Sequence, residues 1–389
     1  MMNNSRLMFI IGSNILMLVA TVGGRGQPGQ AKPACNFPAI YNFGDSNSDT
    51  GGISAVFLPI PTPYGNNFFK RPSGRDCDGR LIIDFIAEHL GLPYLSAYLN
   101  SIGSNYRHGA NFATGGSTIR RQNETIFEAG ISPFSLDVQT TMHFDQFRWR
   151  THDLFNQANS SMEREKLPMA DEFSRALYTF DIGQNDLSAG FRKLSNEQLK
   201  TALPDIVNQL AGSVTHLYQQ GARTFWIHNT GPIGCLPVAT LYIRNPSPGY
   251  LDKFGCISSQ NEMAMEFNNQ LKARVDKLRI ELPEASLVYV DIYAAKYGLI
   301  SNTNKHGFTD PKKICCGRHD GDLNIWCGNK AMVNGSEVFG GSCADPSTYV
   351  SWDGVHYSQA ANQWVANLIL NGSYSDPPMP VTHACYKHL

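Results

Sequence analysis

Apolar runs of strand length alternate along this chain with longer stretches of helical periodicity, which predicts an α/β fold built on a doubly wound parallel sheet. Two further observations point the same way. The first strand-like run is largely apolar, as a strand covered on both faces should be, and two of the runs end abruptly in small polar clusters, Gly44-Asp45-Ser46-Asn47-Ser48 and Gly183-Gln184-Asn185-Asp186. In open sheets of this class ligands bind beyond the carboxyl ends of the strands, so these clusters mark where chemistry is expected.

Taken in order, Phe37–Phe43 reads as the first strand, running into the turn at Ser46. Residues 56 to 80 are rich in Pro, Gly, Arg and aromatics without periodicity and predict a long loop near the site. A helix follows over 80 to 90, with Leu81, Ile82, Phe85, Ile86 and Leu90 on one face and Gly91 and Pro93 as its stop. Gly109 to Thr118 is a strand-to-loop segment whose adjacent Gly115 and Gly116 suit either a plain turn or a close backbone approach to a ligand. Residues 133 to 156 read as an amphipathic helix with no evident chemistry, Arg175–Ile182 as a second buried strand, and 196 to 220 as a helix entered at Ser195. Thr224–Asn229 and Ser286–Asp291 are further strands, separated by a helix over 258 to 281. Residues 301 to 349 carry little periodicity, and Tyr349–His356 leads into a terminal helix with Ala360, Ala361, Trp364, Leu368 and Ile369 on its apolar face.

Nothing in the 389 residues resembles an interdomain linker, and 32 basic against 33 acidic residues, without like-charge blocks, argue against a nucleic-acid or acidic-membrane partner. Small-molecule, carbohydrate and lipid substrates remain. Arg6 followed by the apolar Leu7–Ile11 and Ile15–Ala20 and by small residues has the layout of a secretory signal peptide over residues 1–26, leaving 27–389 as one domain; an uncleaved anchor is the weaker alternative. Export agrees with glycosylation sequons at Asn123, Asn159, Asn334 and Asn371. It also agrees with nine cysteines that all follow the leader. Cys315, Cys316, Cys327 and Cys343 crowd one segment and read as disulfides in preference to a zinc site, Cys235 and Cys256 bracket a loop they can close, and the odd count leaves one thiol over.

Chemistry enters through Ser46, Asp353 and His356. A serine hydroxyl needs a base within hydrogen-bond reach and donors aimed at the oxyanion it creates. A carboxylate three residues before an imidazole can hold Nδ1–H while Nε2 points outward, as Asp353 and His356 allow; a helix-capping Asp beside a surface histidine is the plain alternative. No further histidine or carboxylate cluster suggests a metal there.

Four blocks in this order, FGDSNSDTGG (43 to 52), GANFATGGSTI (109 to 119), DIGQND (181 to 186) and DGVH (353 to 356), resemble the plant GDSL esterase/lipases of the SGNH hydrolase superfamily over nearly the whole chain from Phe37 to about Asn371. The wording of the middle blocks is similar to the subgroup of early-nodulin-like esterases and a glycoside acetylesterase, some of whose members are described as α-fucosidases. The resemblance implies a three-layer α/β/α sandwich on a flavodoxin-like parallel sheet. It implies Ser46 as nucleophile, His356 as general base and then acid, and Asp353 as its orienting carboxylate. The oxyanion hole it implies consists of the backbone N–H groups of Ser46 and Gly116 and the side-chain amide of Asn185, with no cofactor and no metal.

The expected protein is therefore a secreted, extracellular serine ester hydrolase of the apoplast or cell wall. It would cleave short acyl groups from a glycoside, sugar or lipid through an acyl-serine. An acyltransferase resolving the same intermediate with a hydroxyl acceptor is the first alternative. A glycosidase is another, which would need a carboxylate pair for which Asp45, Asp49 and Asp186 are the available groups. A non-catalytic use of the fold is the last.

Overall fold

A computed structural model of the protein describes residues 34–320 and 323–385; residues 1–26, read above as a leader, lie outside them. Five strands run parallel: β1 (Ile40–Gly44), β2 (Gly109–Asn111), β3 (Leu177–Asp181), β4 (Thr224–His228) and β5 (Ser286–Val290). They lie in the order β2-β1-β3-β4-β5, and the two-residue strand Ser375–Asp376 closes the far edge antiparallel to β5. The chain leaves β1 toward one side of the sheet and returns to β3 on the other, so a topological switch point opens between the carboxyl ends of β1 and β3.

Among the described residues seven longer helices cover the sheet: α1 (Ile82–His89), α2 (Asp145–Gln157), α3 (Gln184–Lys193), α4 (Asn196–Gln219), α5 (Ser258–Glu281), α6 (Ile292–Ser301) and α7 (Gln359–Leu370). Side chains alternate across each strand. Tyr41, Phe43, Tyr178, Phe180, Phe225 and Ile227 bury into one core with Phe147 of α2, Leu187 of α3, Leu210 of α4 and Phe267 of α5. Ile40, Leu177, Trp226, Val288 and Val290 face the opposite layer, with Ile86 of α1, Ala295 of α6 and Val365 of α7. The result is the three-layer α/β/α arrangement expected. α4 begins at a reciprocal cap in which Ser195 Oγ accepts from Gln198 N–H at 3.2 Å and Gln198 Oε1 accepts from Ser195 N–H at 2.8 Å.

One polar position interrupts the apolar strands. Asn42 lies in register with Asn111 on β2 and Thr179 on β3. Its amide donates to Asn111 Oδ1 at 2.8 Å and Ser48 Oγ at 3.0 Å, and its carbonyl accepts from Thr179 Oγ1 at 2.7 Å. Asn111 in turn donates to the Ser48 carbonyl at 2.6 Å and to Thr50 Oγ1 at 3.0 Å. Buried amides of this kind are tolerated only when satisfied, and here the satisfaction requires one register of three strands together with the turn after β1.

Two expectations are corrected. Residues 301 to 349 contain two hairpins, Gly317–Asp320 with Leu323–Trp326 and Lys330–Val333 with Ser336–Phe339. Their four-residue strands are too short to register as periodicity, and disulfides Cys315–Cys343 and Cys316–Cys327 supply the constraint that so small a core cannot. The second correction concerns 133 to 156. The helix there opens with a π-helical segment, Val138–Phe144, and has a part in the site described below. Cys235–Cys256 is closed as the spacing allowed, Cys35–Cys385 ties the two ends of the described chain, and the leftover thiol is the buried Cys77.

Replacing Asn42 by Leu removes the acceptor of Thr179 Oγ1 and one of the two donors to Asn111 Oδ1 inside the protein. The expected cost is about 2–3 kcal/mol, read as a lower urea midpoint; an unchanged midpoint would show that the ladder does not hold the strands.

Candidate active site

The turn after β1 is shaped from both sides. Asp45 N–H donates to the Asp181 carbonyl of β3 at 3.2 Å, and the Asp45 carbonyl accepts from the N–H groups of Ser48 and Asp49 at 3.1 and 2.9 Å. Ser46 stands at the crest of this turn, 8% exposed, and among the described residues its N–H has no acceptor. Gly44 has to be glycine for this packing, since a Cβ there would meet Ser48 Oγ at 2.4 Å and the Asp181 carbonyl oxygen at 2.5 Å. Gln139, in the π-helical segment, takes both backbone groups of Gly44: its Oε1 accepts from Gly44 N–H at 2.9 Å and its Nε2 donates to the Gly44 carbonyl at 2.8 Å. The amide side chain thus continues the strand pairing past the end of β2.

Asp353 and His356 lie in the loop before α7. The helix itself starts three residues after the histidine and is capped by Ser358, whose Oγ accepts from Ala361 N–H at 3.2 Å, so Asp353 is not a helix cap. Instead Asp353 Oδ1 accepts from the N–H groups of Val355 and His356 at 2.9 and 2.8 Å, folding the loop around the carboxylate. Its Oδ2 accepts from His356 Nδ1–H at 2.7 Å and from the Tyr64 hydroxyl at 2.9 Å. A carboxylate can only accept, which fixes the neutral imidazole with its proton on Nδ1 and leaves Nε2 to accept from Ser46 Oγ–H at 2.8 Å. The structure therefore brings Ser46, His356 and Asp353 into one hydrogen-bonded line across 310 residues of sequence.

Of the three donors named for an oxyanion, Gly116 and Asn185 come from the loops after β2 and β3. Gly115 N–H donates to Asp49 Oδ2 at 2.8 Å and is not available. Gly116 N–H has no acceptor among the described residues; its φ of 80° and a Cβ that would lie 2.1 Å from the Gly130 carbonyl oxygen demand glycine there. Asn185, in the first turn of α3, donates through Nδ2 to the Ser117 carbonyl at 3.0 Å and more weakly to Asp45 Oδ2 at 3.4 Å. One amide hydrogen is thus well engaged and the other only loosely held.

The carboxylates divide into two kinds. Asp49 accepts from the N–H groups of Gly51, Gly52, Ile53 and Gly115, and Asp186 from those of Ile119 and Arg120, so both are spent on holding backbone. Burial, reinforced by Asp181, pushes Asp45 up to about 7. Burial likewise pushes Asp76 up to about 7, with no hydrogen bond to offset it. At His356 burial favours the neutral ring, but the carboxylates of Asp353, Asp76 and Asp45 outweigh it and push the imidazole up to about 9. Burial also works against the Asp353 carboxylate, and the adjoining imidazole and N–H donors overcome it to hold the group below the usual carboxylate range. Among the described residues no group of three or more His, Cys, Asp or Glu side chains is arranged to hold a metal ion. Asn123, Asn159, Asn334 and Asn371 are all exposed. Tyr64, Asp76 and Gln139 escaped the sequence reading, because they sit in a loop and a helix that carry no motif.

A family model described as GDSL-like Lipase/Acylhydrolase matches residues 40–369 of the chain. A GDSL esterase/lipase of Arabidopsis thaliana is 66% identical over 356 residues, covering 92% of this chain and 91% of that one. A protein named Alpha-L-fucosidase 3, also of Arabidopsis thaliana, is 50% identical over 344 residues, 87% of this chain and 91% of its own. The GDSL esterase/lipase ENOD8 of Medicago truncatula is 46% identical over 356 residues, 91% of each.

The charges around the imidazole set a measurable property. An NMR titration of the His356 ring is expected to give a midpoint near 9, above the ordinary 6.5, and Asp76→Asn, which removes one of the negative charges, is expected to bring that midpoint down. A wild-type midpoint at or below 6.5 would contradict this electrostatic picture.

Proposed function

From the chain's membership of the GDSL-like lipase/acylhydrolase family, which makes it a carboxylic ester hydrolase of small-molecule esters, we propose that it works through an acyl-serine on Ser46. The observation that carries this reading is the 2.8 Å contact between Ser46 Oγ and His356 Nε2, with Asp353 2.7 Å behind the ring. In the first half-reaction Ser46 Oγ attacks the ester carbonyl carbon while its proton passes to His356 Nε2. The oxyanion accepts from the N–H groups of Ser46 and Gly116 and from the Asn185 amide. Collapse breaks the bond to the alcohol oxygen, which takes the proton from Nε2. Water then attacks the acyl-serine, gives a proton to Nε2, and the carboxylic acid departs as Ser46 Oγ is reprotonated.

The imidazole must be neutral to accept the serine proton. With its affinity for protons pushed up to about 9, activity should rise from neutral into alkaline pH.

Short acyl groups carried by a glycoside, sugar or lipid are the proposed substrates. Export to the cell exterior is the proposed location, supported by the apolar N-terminal segment, four disulfides and four exposed sequons. The relative named as a fucosidase raises glycoside cleavage as a second reading. Against it, Asp49 and Asp186 are occupied by backbone donors and so are poorly suited to acid–base work on a glycosidic oxygen. Transfer to a sugar hydroxyl in place of water uses the same intermediate, and product analysis with an added alcohol distinguishes the two.

Ser46→Ala is expected to abolish release of p-nitrophenol from p-nitrophenyl acetate. Asn185→Ala should lower kcat by about 100- to 1,000-fold with little change in KM. In a series of acyl chain lengths the short esters should be turned over fastest. Retained hydrolysis in Ser46→Ala would remove the acyl-serine from the account, and a preference for long chains would remove the short-acyl assignment.

A further inference from the structure

Asp353 Oδ2 accepts two hydrogen bonds, and only one of them comes from His356. The other comes from Tyr64, 289 residues earlier in the chain, whose hydroxyl donates at 2.9 Å. Tyr64 is held as firmly as the carboxylate it meets. It is 9% exposed, its ring stands edge-on to Trp352 with centroids 5.9 Å apart, and it packs in a small cluster with Cys315, Cys316 and Cys327. Its N–H donates to the Pro61 carbonyl at 3.1 Å, and the next residue, Gly65, donates to the Cys77 carbonyl at 2.8 Å. Burial and then the neighbouring carboxylates of Asp353 and Asp76 push the phenol well above its ordinary range, so it stays a protonated donor wherever the enzyme works.

We propose that Tyr64 is a positioning residue for the esterase reaction, acting through Asp353 to fix the carboxylate against rotation and to temper its pull on the His356 imidazole; the inference rests on the acyl-serine reading above. Two physical effects follow from one hydroxyl. A carboxylate pinned on Oδ1 by two backbone N–H groups and on Oδ2 by the phenol has one orientation in which to meet Nδ1–H, so Nε2 is delivered to Ser46 Oγ without a search. The phenol also shares the carboxylate's negative charge, which weakens the field that stabilises the imidazolium. Without the phenol the imidazole keeps its proton to higher pH and fewer enzyme molecules hold a competent base.

The test is Tyr64→Phe, which keeps the ring against Trp352 and removes only the oxygen. The expected result is a fall in kcat of about 10-fold, the size of one hydrogen bond to a charged group, with KM within about 2-fold of wild type because the hydroxyl is spent on Asp353. The acid limb of the kcat/KM profile, which reports the base in the free enzyme, should move to higher pH. The titratable groups facing the imidazole (Asp353, Asp76 and Asp45) and those facing the phenol (Asp353, Asp76 and Cys77) are unchanged in this variant, so the displacement belongs to the lost oxygen. Labelling of Ser46 by a fluorophosphonate should slow in proportion to kcat, a readout that does not depend on the ester chosen.

Tyr64→Leu, which also deletes the ring, separates packing from positioning: it should lower Tm as well as kcat, whereas Tyr64→Phe should leave Tm close to wild type. Wild-type kcat and an unmoved acid limb in Tyr64→Phe would overturn the proposal, as would a loss of kcat that tracks a loss of Tm with no movement of the limb. Ser46→Ala run beside them keeps the two readings apart. If it remains active, the acyl-serine itself fails; if it is inactive while Tyr64→Phe behaves as wild type, only the role of Tyr64 fails.

Discussion

The relative height of three strand ends is the constraint on which the site depends. Ser46 follows β1, Gly116 follows β2 and Asn185 follows β3, so their mutual positions are those of the strands. A slip of one residue would displace one end by about 3.3 Å, more than a hydrogen bond can absorb. Apolar packing opposes such a slip only on average, because Phe43 stacked between Phe112 and Phe180 would still find aromatic neighbours nearby. Asn42 opposes it specifically, since its amide is satisfied only when Asn111 and Thr179 lie opposite and Ser48 turns back over the strand. A polar residue in the middle of a buried sheet is therefore what makes the site reproducible.

Electrostatics complete what the strands position. Several carboxylates surround one imidazole, and their fates differ because their donors differ. Asp353 stays ionised through His356 and two backbone N–H groups. Asp45 and Asp76 have fewer or no donors and are pushed up to about 7 by burial. Below that range both gain protons and their pull on the imidazolium fades; above it both are charged and the ring is held protonated more strongly. Deeper in the sheet, Asp181 is kept below the usual range: burial opposes its charge, and the facing His228 at 3.4 Å overcomes burial. Asp181 in turn reinforces the shift at Asp45, so the field at the histidine is set from within the fold as well as from the cleft.

Much of this was legible in the chain, and the failures have physical causes. The bounds expected for the helix at 258 to 281 coincide with α5, and the Ser195 entry to α4 is a reciprocal cap, because long amphipathic helices and capping residues write a local signal. Ser46, Asp353 and His356 stood out because each occupies a turn adjoining a regular element. Tyr64 did not, since a tyrosine in an unperiodic loop acquires its meaning only from a partner hundreds of residues away. Gln139 was hidden in an apparently ordinary helix, as nothing local distinguishes an amide that continues a strand from one facing solvent. The hairpin at Asn334-Gly335 does carry a local signal, an Asn-Gly pair with φ of 49° and 80° between short strands, but four-residue strands set among cysteines give it no periodicity to confirm it.

The two halves of the site are held by different means, and that difference explains the cysteines. Ser46, Gly116 and Asn185 inherit rigidity from the sheet. Asp353 and His356 lie in a loop outside it, which must therefore borrow order from elsewhere. Cys315 and Cys316 donate their N–H groups to the carbonyls of Ser351 and Trp352 at 3.2 and 2.6 Å, and Val238 donates to that of Gly354 at 3.0 Å. On the other flank, Asp78 accepts from Gln359 N–H at 2.6 Å, tying the 56 to 80 loop to the start of α7. Disulfides closing spans of 28 and 11 residues restrain the segment that makes these contacts; a loop of about 15 residues closed in this way gains about 3 kcal/mol against the unfolded chain. That stabilisation is spent next to the histidine loop, where Tyr64 and Trp352 share one small buried cluster with Cys315, Cys316 and Cys327. An imidazole held in a loop can thus be as well placed as a hydroxyl at the end of a strand, provided covalent cross-links stand in for the missing ladder of hydrogen bonds.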